Sequence, residues 1–478
     1  MIRIESRLTW WSAIALMAAL RLTHVNLLWS DEDYHLAAAI QILNGRVPYR
    51  DFWYDKPPLA ALYYSLIGGY AGWPLRLLDM AFVLACCWVA YRLARVWWGE
   101  REGYIAAFLL AFFTAFYLPA ATVPFAVDGL LLLPHLAAAY FAQERRPFLS
   151  GLCCAAGLLT NVKAVFVVAA CALWLFNGLP LFAAGLALPL GIAAAVGAAF
   201  GALPDFYTQV WKWGLMYAGG GSSENPFQLG VKRSADWLAF HGALLFGFLV
   251  VERGDRFKLG VWFLLSCAAL LLGNHFAPRY FFQLLPVMVV AASRGIVLAL
   301  ERYGRPGAAV LAVMLLVPVV RFAPHYVELI GNNLQHTQTS WSDAAMDVDS
   351  QHAADFINSR KQAGDTLFVW GYRPDLYVYT RMVPPGKFSD SQPLDGVPAD
   401  RHLQSGAANP SVTANANRSA LLKSEPTFIV DGLGLLNPAL RLEAFPDLAV
   451  WTKSYRLVDQ TKLCRIYQQN RSQRMLRH

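Results

Sequence analysis

The sequence predicts a polytopic α-helical membrane protein of about eleven spans, followed by a soluble α/β domain. Three observations predict this. Hydrophobic residues fill 56% of the 478 positions and charged residues only 15%, against roughly 25% charged in soluble globular chains. Mean hydropathy is +0.37. The charges bunch between long apolar runs as far as residue 323, after which the composition turns polar.

The eleven apolar runs are 8–29, 75–97, 103–118, 126–142, 148–160, 163–177, 179–201, 236–251, 259–273, 281–300 and 306–323. Several are shorter than the roughly 20 residues a perpendicular spanning helix needs. The pair 148–160 and 163–177 reads as two half-spans or one broken helix. No small-residue cleavage site follows the first run, so it is expected to remain as a span and not to act as a removable signal.

Lys and Arg bias gives the orientation. With Arg3 and Arg7 inside, the cytoplasmic loops are 92–101, 143–146, 252–258 and 301–305, all rich in basic residues. The opposite loops, 30–74, 119–125, 203–235 and 274–280, carry acids, aromatics and Pro/Gly turns. The net charge of +8 is then partly topogenic, and no basic run interleaved with aromatics suggests nucleic acid as a partner. Six of the seven cysteines lie in apolar runs, without ligand spacing, and read as small core residues.

Two domains are expected, a membrane domain over 1–324 and an extracytoplasmic soluble domain over 325–478. In the soluble part, helical periodicity runs through Ala345–Lys361. Strands are expected at Thr366–Trp370, Thr427–Val430 and Leu463–Tyr467, with a helix at Ser419–Ser424. The Pro-, Gly-, Ser- and Asn-rich stretch 384–416 reads as a long loop. In the 30–74 loop, Tyr34, Ala37, Ala38, Ile40, Gln41 and Leu43 form an amphipathic helix ended by Asn44-Gly45. A second helix starts after Pro57-Pro58. The pair is expected to lie flat at the membrane surface and to carry Lys56 back toward Asp31.

The chemistry is expected in that loop. Asp31-Glu32 follows the first span at once, and Asp55-Lys56-Pro57-Pro58 comes after the first surface helix. Acids this close to a bilayer are costly unless they work, although Asp31-Glu32-Asp33 also suits a helix N-cap and first turn. Asp128 stands at the start of another span, and it can equally be a simple cap. Lys163 heads a short span, from which a lysine can snorkel to the surface. Arg279-Tyr280 precedes 281–300, where an interfacial anchor is the plain alternative. His35 and His275 read as hydrogen-bonded loop residues. Gly219-Gly220-Gly221-Ser222-Ser223 lacks the strand and Lys-Ser/Thr of a phosphate loop, and reads as a mobile lid.

Asp31-Glu32, then Asn44 to Asp51, then Asp55-Lys56-Pro57-Pro58-Leu59 resembles the first outer loop of the polyprenyl-phosphate-sugar-dependent glycosyltransferases of GT-C fold. The pattern is similar to the protein O-mannosyltransferase-like and aminoarabinose-transferase-like bacterial enzymes, especially those resembling lipopolysaccharide galacturonosyltransferases. It covers roughly residues 1–325, and the soluble tail fits as well. The resemblance implies Asp31 as general base, Glu32 as orienting group or added negative charge, and Asp128 as second acid. It implies Lys56 on the donor phosphate, beside Asp55, and Arg279-Tyr280 lining the donor pocket. Where aminoarabinose transferases have an Arg two residues after the acidic pair, this chain has Tyr34, followed by His35. Lys163 or Arg279 would then supply the missing phosphate contact, and the mannosyltransferase-like branch is favoured.

The implied activity is inverting transfer of a sugar, hexosyl or pentosyl, from a polyprenyl phosphate to a glycan, lipid or protein hydroxyl. It would take place at the outer face of a bacterial inner membrane. A cation must stabilise the departing phosphate, and a carboxylate must take the acceptor's proton. No cofactor or metal is expected, although Asp31 and Asp128 together suit a divalent cation held with waters. A transporter or flippase for a lipid-linked glycan is the competing class. It would place charges near the midplane, often within an inverted repeat. A non-catalytic assembly protein would need none of Asp31, Asp128 and Lys56.

Overall fold

The computed structural model describes residues 7–117, 125–219, 225–252, 254–335, 341–403, 405–408 and 411–470. Helices make up the membrane part. Among the described residues three helices are long and apolar enough to cross a membrane: Trp73–Trp97, Phe176–Ala199 and Leu285–Leu334. Other apolar runs form shorter helices, such as Arg7–Ala19, Glu100–Ala115 and Arg256–Leu271. The helix from Leu285 to Gln335 is broken at Gly304 (φ 54°), just before Pro306, where the sequence places a turn between its last two runs. The 148–177 region is two helices, Pro147–Thr160 and Val165–Trp174, broken at the extended residue Asn161.

Glycine lets the apolar helices approach closely. A Cβ on Gly185 would collide with the Phe148 carbonyl, and one on Gly151 with the Phe182 carbonyl, so Pro147–Thr160 and Leu179–Ala199 touch backbone to backbone. Gly247 and Gly295 make the same contact between Gly242–Val250 and the long helix after Leu285. Without a hydrophobic drive between helices in lipid, such close van der Waals contact is what holds them together.

Buried ion pairs fasten the membrane part, each charge offsetting the other's desolvation. Arg21 donates to Asp79 (3.3 Å) and to the Thr114 carbonyl (2.9 Å). Arg76 grips Glu32 through both guanidinium nitrogens (2.7 and 2.8 Å) and also donates to the carbonyls of His24 and Leu27.

The helix Glu32–Leu43 does not lie free at a lipid surface as expected. Every residue from Glu32 to Gln41 is buried. Leu36, Ala39 and Ile40 join the membrane core, Ala37 joins the core of the soluble domain, and Tyr34 and Ala38 pack in a third cluster with Tyr49, Phe52 and Tyr54. A helix with small residues on several faces can be packed from all sides. This one is the shared element between the two parts of the chain.

The soluble part is a four-stranded sheet with helices. Strands β1 (Leu367–Trp370), β2 (Phe428–Asp431), β3 (Tyr455–Gln460) and β4 (Arg465–Gln469) lie in the order β1-β2-β4-β3. The first pair is parallel, with Leu367 opposite Phe428, and the other pairs are antiparallel. Strands β1 and β2 are buried throughout, which is why they read as continuous apolar runs. Its longer helices are Ser342–Asn358 and Val412–Leu421, and shorter ones include Asp375–Thr380 and Pro446–Trp451. The stretch 384–416 is more ordered than a loop reading allows: Gln392–Asp395 forms a helical turn, and Asp390, Ser391 and Asp395 are buried.

Backbone contacts clamp this domain over the outer loop. Arg381 donates to the carbonyls of Gly68 and Gly69 (2.8 and 2.7 Å). Arg46 donates to those of Pro384 and Gly386 (2.9 and 2.6 Å). The Leu28 N–H donates to Asp347 (3.2 Å), and the Trp53 N–H to the Lys387 carbonyl (2.7 Å). Together they close a cavity between the two parts.

Candidate active site

Asp31 occupies the junction between the first apolar run and the helix Glu32–Leu43, with φ at +77°. Non-glycine residues seldom adopt this conformation, and it persists where the surroundings over-determine it. Asp31 stands at the N-cap position, yet its side chain makes no capping bond. Its carboxylate instead accepts a hydrogen bond from the Arg279 guanidinium. Arg279 comes from the short 3₁₀ segment Pro278–Gln283, and its Nε lies 3.9 Å from Asp128 Oδ2. Burial opposes the charge of Arg279, but Asp31, Tyr280 and Asp128 outweigh it and hold the guanidinium above its ordinary pKa.

Asp128, on the turn Val127–Leu130, is buried and well partnered. Its Oδ1 accepts from Asn161 Nδ2 (3.1 Å), Gln283 Nε2 (3.3 Å) and Lys163 Nζ (3.4 Å). The Lys163 ammonium also sits 2.9 Å from the centre of the Tyr280 ring, a cation–π contact. Lys163 is thus turned inward and does not snorkel out.

Lys56 pairs with its neighbour Asp55 (2.8 Å), and Asp31 takes Arg279 in its place. The loop does bring Lys56 toward Asp31, within reach of its charge and onto the same cavity, but each forms its ion pair with a different partner. Burial works against the Lys56 charge, yet Asp55, Tyr280 and Asp31 raise its pKa above the ordinary lysine value. The Asp55-Lys56 turn is held by two tyrosines. Tyr34 Oη accepts from the Asp55 N–H (3.1 Å), and Tyr49 Oη donates to the Lys56 carbonyl (2.9 Å).

His35 is packed, not charged. Its Nδ1 shares a 2.8 Å hydrogen bond with Tyr54 Oη, and its ring stacks on Tyr64. Burial, helped by Lys56, lowers its pKa to about 3, so at neutral pH it cannot offer positive charge to a phosphate. Glu32 does not reach the cavity. It is fully buried, bonds Arg76 with both oxygens, and accepts from the N–H groups of Trp29 (3.2 Å) and Phe125 (2.7 Å). Glu32 is therefore a fastening between the outer loop and the helix Trp73–Trp97, and its placement among catalytic residues is corrected.

Asp31, Tyr34, His35, Asp55, Lys56, Asp128, Lys163, Arg279 and Tyr280 all line one cavity of ≈490 Å³. Three carboxylates and three cations meet there in pairs, giving a wall that is charged locally and balanced in sum. Sequence reasoning missed Asn161, Gln283, Tyr217 and the residues that the soluble domain brings to the cavity. Asn161 carried a readable signal: a polar residue two positions before Lys163, at a break between apolar runs. Of the glycine run, 220–223 lies outside the described residues. The helix Trp213–Gly219 before it lines the cavity through Trp213, Gly214, Tyr217 and Ala218.

With this geometry in place, comparison with known proteins gives three findings. Residues 55–199 match the family model for dolichyl-phosphate-mannose-protein mannosyltransferase. That segment begins at Asp55 and contains Lys56, Asp128, Asn161 and Lys163. The crystal structure of ArnT from Cupriavidus metallidurans bound to undecaprenyl phosphate superposes with a TM-score of 0.61 at 14% identity, covering 96% of this chain and 97% of that one. The chain has the GT-C fold of ArnT. The apo structure of the same protein gives a TM-score of 0.61 at 13% identity, covering 97% of this chain and 98% of that one. No curated relative matches the sequence. Because the ArnT fold accounts for nearly the full length, it includes both the helical part and the small C-terminal sheet domain.

Proposed function

We propose that the protein is a membrane glycosyltransferase that moves a sugar from a polyprenyl phosphate to an acceptor hydroxyl. The observation that carries the reading is the convergence of Asp31, Arg279, Asp128, Lys163 and Lys56 on one cavity, from four separate stretches of chain. The family match over 55–199 and the ArnT fold support it. ArnT itself was crystallised with undecaprenyl phosphate, and the same class of lipid carrier suits the cations here.

The chemistry follows from the groups present. The acceptor oxygen attacks the anomeric carbon, the bond from that carbon to the phosphate oxygen breaks, and the electron pair leaves with the phosphate. Lys56 and Arg279 face the charge developing on that oxygen, with Lys163 behind Asp128 as a third cation. Asp31 accepts the acceptor's proton. Direct displacement inverts the anomeric centre. Arg279 pairs with Asp31, so a phosphate held by Arg279 competes with that pairing and frees the carboxylate for its role as base.

The basic loops 92–101, 143–146, 252–258 and 301–305 favour an orientation with the cavity and soluble domain outside the cytoplasm of a bacterial inner membrane. The deciding experiment is Asp31→Asn in membranes supplied with radiolabelled polyprenyl-phosphate sugar. Loss of transfer is expected, and full transfer by that variant would refute the assignment.

A further inference from the structure

Facing the ion-paired network, the opposite wall of the cavity belongs to the soluble domain and differs in chemistry. Met346, Leu433 and Leu436 give it apolar surface, while Gln392, Asp400 and His402 give it polar groups. Among the soluble-domain residues lining the cavity the one cation is Arg373, and it is engaged elsewhere. Its guanidinium donates to Ser350 Oγ (2.5 Å), the Met346 carbonyl (2.6 Å) and Asp349 (3.5 Å). Among its described lining residues this wall offers a phosphate no unpaired Lys or Arg.

His402 is the group on it that the transfer chemistry leaves unexplained. It is 3% exposed and lines the cavity. Its Nε2 lies 3.2 Å from Oδ2 of Asp395, which is fully buried. The other carboxylate oxygen of Asp395 accepts from the Val397 N–H (2.8 Å), which fixes Oδ2 toward the imidazole. Oδ2 and Nε2 lie close without the geometry of a hydrogen bond, and neither bonds any other group. A carboxylate this near one ring nitrogen favours the proton on that nitrogen, which leaves Nδ1 as the acceptor. The backbone is held too, since Asn437 Nδ2 donates to the His402 carbonyl (2.6 Å).

Beside this pair the membrane part presents a flat face. The rings of Tyr217 and His275 stack at 4.3 Å, and Tyr217 Oη donates to Asp400 (3.2 Å). An aromatic face, an imidazole and a carboxylate, with the nearby Arg401 guanidinium engaged over the Tyr217 ring (6.0 Å), suit a hydroxyl-rich ring that carries no negative charge. We propose that His402, held by Asp395, binds a hydroxyl of an uncharged or amino sugar on the acceptor, making the soluble domain the acceptor wall. This rests on the glycosyltransferase reading above and adds the acceptor's class and the residue that grips it. His402 is a binding residue here, distinct from the base Asp31.

The test uses the full chain, purified as wild type, His402→Ala, His402→Asn and Asp395→Asn. The donor probe is the radiolabelled lipid-linked sugar fraction from cells lacking the protein, and the acceptor probe is serially diluted membranes of the same cells. Binding of undecaprenyl phosphate is measured in parallel. His402→Ala is expected to bind that lipid within about twofold of wild type, yet to transfer about tenfold less at dilute acceptor. The deficit should close as acceptor is concentrated, a rise in KM with kcat kept. Asp395→Asn should follow it, and His402→Asn, which keeps a hydrogen-bonding group near Nδ1, should recover part of the activity. A His402→Ala protein indistinguishable from wild type overturns the inference. So does a deficit that is constant across acceptor dilutions, or one that comes with lost lipid binding. A wild type that neither binds undecaprenyl phosphate nor transfers sugar overturns the glycosyltransferase reading itself, and the inference falls with it.

Discussion

Asp31 and Arg279, 248 positions apart in the chain, meet as an ion pair on the wall of the cavity. The pairing joins the residue suited to take a proton with one suited to hold a phosphate. It separates two substitutions that would otherwise look alike. Asp31→Asn frees Arg279 from its partner, so it should bind undecaprenyl phosphate at least as tightly as wild type while lowering the transfer rate by about 10²–10⁴. Arg279→Gln should lower transfer by about 10²–10³ and weaken lipid binding as well. Lipid binding and single-turnover transfer, measured on both variants, check the distinction.

Glu32 and Arg76 are both enclosed, and removing one leaves the other as an uncompensated buried charge. Glu32→Gln is expected to cost roughly 3–5 kcal/mol. Glu32→Gln combined with Arg76→Met should recover much of that loss. Thermal unfolding in detergent provides the measurement, and equal losses in the single and double variants would contradict the account.

Asp390 gives a pH signature in the soluble domain. Burial, with Asp55 and Asp395 adding to it, raises its carboxyl from 3.8 to about 7. The folded chain therefore holds a proton that the unfolded chain releases near pH 4. This contribution is fully present below that value and is lost as pH rises toward 7. Asp390 Oδ1 accepts from the Gln392 N–H (2.9 Å), while Oδ2 has no partner. Asp390→Asn keeps the first bond and cannot ionise. Its melting temperature should exceed that of wild type at pH 8 by more than at pH 5, and an equal difference at both would count against it.

The helix crossings predict a contrast among glycines of a single helix. Gly185→Ala places a methyl group against the Phe148 carbonyl and should destabilise by about 1–3 kcal/mol. Gly191→Ala, six residues along, meets nothing within 4 Å and should be neutral or slightly stabilising. Parallel unfolding curves distinguish the two.

Much of this was legible in the sequence for a physical reason. Apolar runs, the Asn44-Gly45 stop and the Pro57-Pro58 start are local signals, and the helices Glu32–Leu43 and Pro58–Ser65 follow them closely. Strands β1 and β2 were readable because full burial makes them apolar throughout. Strand β3, with exposed Arg456 and Leu457, carried no such mark. Pairing was the harder problem. Asp31 forms its ion pair with Arg279 and not with Lys56 because distant segments meet, and no local pattern encodes that. Glu32 was misread for a related reason: adjacent acids look equivalent in a sequence, yet the turn at Asp31 sends them to opposite sides. The stretch 384–416 looked like loop because its turns are rich in Pro and Gly, although it carries Gln392, Asp400 and His402 to the cavity.

The position of those three residues has a consequence for how the protein is made. One wall of the cavity is encoded beyond residue 340, after every long apolar helix. During synthesis the helices can enter the bilayer and the cations can find their carboxylates while the chamber still lacks that side. Enclosure comes with the last third of the chain, so a product cut short by an early stop codon would hold its charged groups open to water.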